Sequence, residues 1–272
     1  MNFNQMRAFH AVAVEGGFSA AAKSLGVTQP AVTVQIRGLE AELGVRLFLR
    51  RGQGAVATEA AVASDPAMAG GLVRLGLSTP ATIMGLAKRF ADAHPAVELR
   101  LSTGNTGQLI EDVLACRVDL IAASHIEPDP RLAGVVLGRQ RLALLVPAAD
   151  PLARSGDPLP LDALAGLPVL LREPSSVTRQ VFLRAAEAIG LSPRMAASLG
   201  SREMIREATA AGLGYGIVFD GETGHDPRLA HRPLTAAGPA AELLAADVRL
   251  SCLPELAGIG VVAAFLALAE GV

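Results

Sequence analysis

The chain has 272 residues, 51% of them hydrophobic and 18% charged, with a net charge of −2. This is a globular composition for about two domains, and it excludes a wholly basic nucleic-acid coat. No stretch reaches the roughly 18 apolar residues of a bilayer span, and residues 1–20 lack the basic start and unbroken apolar run of a signal peptide.

Charge is uneven: residues 1–60 carry +2 and the remainder −4. That asymmetry favours an anionic partner for the N-terminal part. The two cysteines, Cys116 and Cys252, lie far apart in apolar surroundings and read as buried thiols of a reducing cytosol. The expectation is a cytoplasmic protein with no membrane contact.

In chain order, Phe3, Met6, Phe9, Val12 and Ala13 share one helical face, the spacing of an amphipathic helix. Gly16-Gly17 ends it. Ser19 caps a short helix from Ala20 to Leu25, and Gly26 stops it. Thr28 caps a further helix with Pro30 in its first turn, running to about Leu43, where Gly44 stops it. Residues 47–49 and 55–58 flank Arg50-Arg51-Gly52-Gln53-Gly54 and predict a hairpin with a basic tip.

Residues 60–71 are Ala-rich and broken by Asp65-Pro66 and Gly70-Gly71. They divide the chain into residues 1–60, a linker over 61–71 and a second domain over 72–272. From Leu72 onward, short apolar runs (72–77, 97–101, 120–123, 142–146, 169–171, 216–219) alternate with helical patterns (80–93, 106–115, 177–189, 202–211, 254–269). Alternation of this kind predicts an α/β fold with mainly parallel strands.

The helices on either side of Gly26-Val27-Thr28 have the form of a helix-turn-helix, whose second helix enters the major groove. Its base-facing and phosphate-facing candidates are Thr28, Gln29, Pro30, Thr33, Gln35 and Arg37. Gln pairs bidentately with adenine, Thr bonds a base or touches a thymine methyl, and a helix N-terminus suits phosphate. Ala31, Val32, Ile36 and Leu39 are expected to face the core. Arg50 and Arg51 at the hairpin tip stand where a wing would meet the backbone or minor groove. Taken alone, any three-helix domain has a short turn and a polar helix start.

The pattern becomes specific over Phe18-Ser19-Ala20-Ala21-Ala22, Leu25, Val27-Thr28-Gln29-Pro30-Ala31-Val32-Thr33, Gln35-Ile36, Leu39-Glu40, Leu43-Gly44, Leu47-Phe48 and Arg50-Arg51. These residues, in this order, resemble the N-terminal signature of the LysR-type transcriptional regulators, and the resemblance extends over nearly the whole chain. It implies a winged helix-turn-helix that binds a double-stranded DNA operator. It also implies a C-terminal effector domain like a periplasmic binding protein, with two α/β lobes around a cleft, and a homodimer or homotetramer. Family members usually have a long linker helix that pairs with a partner's and spaces the two DNA-binding heads. Here about a dozen residues stand in its place, containing Pro66 and Gly70-Gly71. Fully helical, they would span only about 18 Å. The expectation is an altered or lost pairing of heads.

In an α/β cleft, ligands bind at the carboxyl ends of strands, where helix N-termini point. The segments that qualify are Ser78-Thr79-Pro80, Thr103-Gly104-Asn105-Thr106, Arg172 to Arg179 and Gly200-Ser201-Arg202. Candidate effector contacts are Thr79, Thr103, Asn105, Arg172, Ser175, Ser176 and Thr178. Hydroxyls, free N–H groups and an Arg favour a small anion such as a carboxylate, phosphonate or sulfate, although Ser and Thr at helix starts are also ordinary caps. Arg172-Glu173-Pro174, Gly200-Ser201-Arg202-Glu203 and Gly224-His225-Asp226-Pro227-Arg228-Leu229 resemble a subgroup linked to aminoethylphosphonate catabolism, which implies a phosphonate effector or pathway.

Enzyme readings find little support. None of His10, His94, His125, His225 and His231 pairs with Cys or carboxylate at metal-ligand spacing, and there is no Gly-x-Ser-x-Gly elbow. Gly212-Leu213-Gly214-Tyr215-Gly216 lacks the order of a nucleotide loop and reads as a helix C-cap and turn. No metal or cofactor is expected. Two readings stay open: an effector-responsive DNA-binding regulator, or a solute-binding module whose DNA head is impaired by the short linker.

Overall fold

The computed structural model describes residues 2–43, 47–51, 54–57, 71–222, 224–258 and 260–270. The linker over 58–70 and the predicted stop at Gly44 fall outside these.

Three helices and a hairpin form the N-terminal unit: α1 (Phe3–Glu15), α2 (Phe18–Leu25), α3 (Gln29–Leu43), β1 (Phe48–Arg51) and β2 (Gly54–Ala57). An Asn2–Gln5 capping box opens α1, satisfying two orphan N–H groups at once. Its buried stripe is Gln5, Ala8, Ala11 and Val12. The predicted face is thus rotated: Ala13 is exposed, and Phe3, Met6 and Phe9 are only half-buried. Small residues let α1 approach its neighbours closely, while the larger ones sit at the edge. α2 begins at Phe18 rather than Ala20, capped by the extended backbone of Gly17, so Ser19 lies inside the helix. Phe18 and Phe9 both stack on Phe48 of the hairpin, and that packing draws Phe18 into the first turn. Gly26 ends α2 at φ 66°, a conformation that only Gly adopts cheaply. The core is closed by Val32, Ile36 and Leu39 of α3 with Leu47 and Phe48. Ala31 is exposed, against the expectation. A Glu40 carboxylate oxygen accepts from Leu47 N at 2.8 Å and ties the hairpin to α3.

The second unit contains β3 (Gly71–Leu77), α4 (Pro80–Ala93), β4 (Val97–Thr103), α5 (Thr106–Leu114), β5 (Leu120–His125) and β6 (Ala133–Pro147). It continues with β7 (Leu159–Pro160), β8 (Pro168–Arg172), α6 (Val177–Ala188), β9 (Arg194–Leu199), α7 (Arg202–Ala210) and β10 (Tyr215–Phe219). It ends with β11 (Leu229–Thr235), α8 (Ala240–Leu243), β12 (Ala245–Cys252) and α9 (Gly260–Glu270). The sheet order is β4-β3-β5-β12-β6-β10-β8-β9, with β11 on β6 and β7 on β11.

The expectation of mainly parallel strands holds within each lobe and fails between them. β4, β3 and β5 are parallel, as are β9, β8 and β10. β6 and β12 are antiparallel to each other and to their flanking strands. The first part of β6 pairs with β12 and its last residues pair with β10 and β11. One strand therefore passes from lobe to lobe, and the chain returns through α8 and β12. The crossing is pinned at Arg141: Asp220 N donates to its carbonyl at 2.9 Å, and its N–H donates to the Asp220 carboxylate at 2.8 Å. Each lobe has its own core, one around Phe90 and Phe265 and the other around Phe182 and Phe219.

Candidate effector cleft and DNA-reading helix

Between the lobes lies a narrow cleft. Its walls are helix starts. Ser78 precedes α4, Asn105 and Thr106 open α5, Ser176 to Thr178 open α6, and Arg202 opens α7. The right-handed β-α crossover produces this, because each parallel strand ends at the same edge and delivers the next helix N-terminus there. Four N-termini thus direct their unfilled N–H groups and positive dipole ends toward one space.

Hydrogen bonds among the walls explain which groups are free. Ser78 Oγ accepts from Ser124 N at 3.1 Å, and Ser124 Oγ donates to Gln140 Oε1 at 3.1 Å. Thr106 Oγ1 donates to Ser124 O at 3.1 Å. These bonds fix the wall of the lobe built on β4, β3 and β5 to the crossing strand β6. Asn105 caps its own helix through Gln108 N at 2.9 Å. On the side of the other lobe, built on β9, β8 and β10, Ser176 caps α6 by position but makes no side-chain cap bond. It and Thr178 are largely buried and line the cleft. Both arginines are already matched: Arg172 to Glu173 at 2.8 and 3.0 Å, Arg202 to Glu222 at 2.7 and 2.8 Å.

Of the predicted effector contacts, the cleft brings together Asn105, Arg172, Ser176 and Thr178. Thr79, Thr103 and Ser175 are not among its lining residues. Thr79, at the N-cap position of α4, is sealed at 1% exposure, with an Oγ1 that has no hydrogen-bond partner among the described residues. Thr103 is exposed at the end of the edge strand β4, and Ser175 is exposed on the loop before α6. The alternation of the loop turns Ser176 inward and its neighbour out. The residues missed are Ser78, Thr106, Ser124 and Arg202. Three of them belong to segments that position alone had marked. Ser124, the penultimate residue of an apolar strand, gave no signal.

In the N-terminal unit, Thr28, Gln29, Pro30 and Arg37 are exposed, while Thr33 and Gln35 are half-buried. Gln29, Thr33 and Arg37 follow one another at four-residue spacing and share a face. Thr33 Oγ1 donates to Gln29 O at 3.0 Å, which holds its methyl outward. Thr28 Oγ1 meets Ala31 N at a long 3.4 Å, a weak cap that leaves the helix start open to an anion. Gln35 sits at the flank beside the core, away from Gln29. Val34 belongs to the outer surface at 66% exposure and was missed. The backbones of Arg50 and Arg51 pair with Ala55 and Gly54 at the hairpin end, and their side chains lie outside the described residues.

Comparison with known proteins converges on one family. Residues 3–62 match the bacterial regulatory helix-turn-helix protein, LysR family, and residues 67–268 match the LysR substrate binding domain. The HTH-type transcriptional regulator CbbR of Rhodospirillum rubrum is 30% identical over 243 residues, covering 80% of this chain and 79% of that protein. In fold, the chain is similar to full-length CbnR complexed with its target DNA (TM-score 0.62, 22% identity, 100% and 99% of the two chains). It is also similar to the effector binding domain of QuiR in complex with shikimate (TM-score 0.64, 19% identity, 74% and 95%). The chain belongs to the LysR family: it is a DNA-binding transcriptional regulator with a substrate-binding domain for a small effector, and not an enzyme.

Proposed function

We propose that this regulator answers to a small anion held between its lobes. One observation carries the reading: four helix N-termini and the hydroxyls of Ser176 and Thr178 meet in a cleft whose lining contains no carboxylate. Both nearby arginines, the buried Arg172 and the half-buried Arg202, are matched by Glu173 and Glu222, so the field at the cleft comes from the helix ends. 2-Aminoethylphosphonate is a small molecule of this kind. That compound is the first candidate because of the subgroup motifs at Arg172 and His225. Asn105, Arg172, Ser176 and Thr178 form the assigned contact set, with Ser78 and Thr106 opposite.

On the DNA side, Gln29 and Thr33 read bases while Thr28, Arg37, Arg50 and Arg51 meet phosphates. The assigned domains are 1–60 and 72–272 with a short linker at 61–71. The effector domains associate as a homodimer or homotetramer in the cytoplasm. A second reading, a ligand-binding module with an impaired head, is favoured by the thirteen residues that separate β2 from β3.

The experiment is a titration of the full chain on the region upstream of its own gene, at two salt concentrations, with and without 2-aminoethylphosphonate. Specific binding that shifts with the compound supports the regulator and the effector together. Specific binding indifferent to it rejects the phosphonate. A folded chain without specific binding favours the second reading.

A further inference from the structure

We propose that the hinge carries a second ligand site, one that takes a small aliphatic amine. The site is a cavity of about 260 Å³ against the two crossing strands, and it is separate from the effector cleft. Its apolar wall comes from Ile126 after β5, Val181 in α6 and Leu243 at the end of α8. Two ion pairs edge it, Arg139 with Glu242 at 2.7 Å and Arg184 with Glu127 at 3.7 Å. In both pairs the acid has its base.

Asp247 is different. It lines the same cavity from β12, is half-buried, and has no hydrogen-bond or ion-pair partner for its carboxylate among the described residues. Its cross-strand neighbours are His125 on β5 and Arg139 on β6, and Arg139 gives its guanidinium to Glu242, so the Asp247 carboxylate keeps acceptor sites for a cation that enters the cavity. An alkylammonium ion is such a cation. Its N–H groups make charge-assisted bonds to Asp247, and its carbon stem covers Ile126 and Leu243. An anion is disfavoured, because the acids Glu127, Glu242 and Asp247 outnumber the two arginines and both arginines are paired. A lone unpartnered carboxylate is also too few oxygen ligands for a divalent cation.

The position gives this site a consequence. Asp247 and Arg139 belong to the strands that join the lobes, and Arg184 belongs to α6, whose first residues line the effector cleft. An amine in the cavity therefore touches both the hinge and the helix that receives the effector. If amine and effector favour different lobe arrangements, each changes the other's affinity by the same factor. The site itself stands whatever occupies the cleft.

The test is calorimetric titration of the full chain with n-butylammonium chloride at fixed ionic strength, with sodium butyrate as the competitor of opposite charge. The expected result is saturable binding that butyrate does not displace, weakened at least about tenfold by Asp247→Asn and unchanged by Ser176→Ala. Ala245→Leu, which fills the cavity while keeping every charge, abolishes binding and decides the matter if Asp247→Asn does not fold. Absence of saturable binding to the unaltered chain overturns the proposal, as does binding that survives both hinge variants. Displacement by butyrate, or loss in Ser176→Ala with retention in Asp247→Asn, places the amine in the cleft and overturns it equally.

Discussion

At the scale of single residues, the two ends of the protein use side chains differently. The reading helix presents short polar groups on an exposed face, where each contact acts alone. Gln29→Ala is expected to lower discrimination at one base pair by about 1–3 kcal/mol while leaving non-specific binding intact. Arg37→Ala is expected to weaken binding to all sequences together and to reduce the salt slope by about one. Competition titrations with operator and random DNA separate the two, and equal effects on both DNAs for Gln29→Ala would show that it does not read bases. In the effector domain the informative residue is His125. Its imidazole is 5% exposed, its Nε2 has no hydrogen-bond partner among the described residues, and burial with the nearby Arg249 lowers its pKa from 6.5. The folded state therefore holds it neutral while the unfolded chain takes up a proton near pH 6.5. The corresponding stability is present above that pH and is lost as pH falls toward the lower folded pKa. His125→Phe should flatten the fall in thermal midpoint between pH 7 and 5. An unchanged slope would locate the proton uptake elsewhere, His231 being the next group with a lowered pKa.

At the scale of elements, the crossing strands decide the architecture. β6 carries Arg139, Gln140 and Arg141 in its middle, which interrupts the apolar run, so the sequence reading kept only residues 142–146. β9, β11 and β12 were missed for the same reason: their faces alternate or are solvated, and a half-buried strand gives a weak signal beside a fully buried one. The fully buried strands and the helices between them were legible, and α4 was read to the residue. Two glycines of β6 test the crossing. At Gly134 an added Cβ would strike the Leu250 carbonyl and the Ser251 backbone of β12, whereas at Gly138 it meets nothing within 4 Å. Gly134→Ala should cost about 1–3 kcal/mol, because backbone cannot move aside. Gly138→Ala should be neutral or stabilise by up to about 1 kcal/mol through a less flexible unfolded chain. Comparison of their urea midpoints checks both. Equal values would mean that β6 and β12 are not in this register.

At the scale of the whole molecule, the question is how an event in the cleft reaches the DNA. The lobes are joined by β6 and the return through α8 and β12, so a ligand that grips both walls sets their angle. Only differential affinity for two arrangements converts that into regulation. The link to the head runs through residues 58–70, outside the described residues. Insertion of several helical turns after Ala60 is expected to raise operator affinity if shortness of this segment limits the pairing of heads. Sedimentation and operator titration of the two forms side by side check this, and equal affinities would show that the segment is sufficient as it stands.

The sequence by itself determined the two-part organisation, the helix-turn-helix with its exposed Thr28 and Gln29, and the segments that open helices at the strand ends. These are local properties: caps, glycine stops and apolar periodicity act over a few residues and are written in order along the chain. Only the tertiary structure decided which of the marked residues meet. It turned Ser176 and Thr178 into the cleft, sealed Thr79 and left Thr103 and Ser175 in solvent. It matched Arg172 and Arg202 with carboxylates, and it brought Ser124 and Gln140 into the wall. Those outcomes depend on where β6 and β12 cross and on the direction in which each strand delivers its helix. Such relations span more than a hundred residues of chain, and no local pattern encodes them.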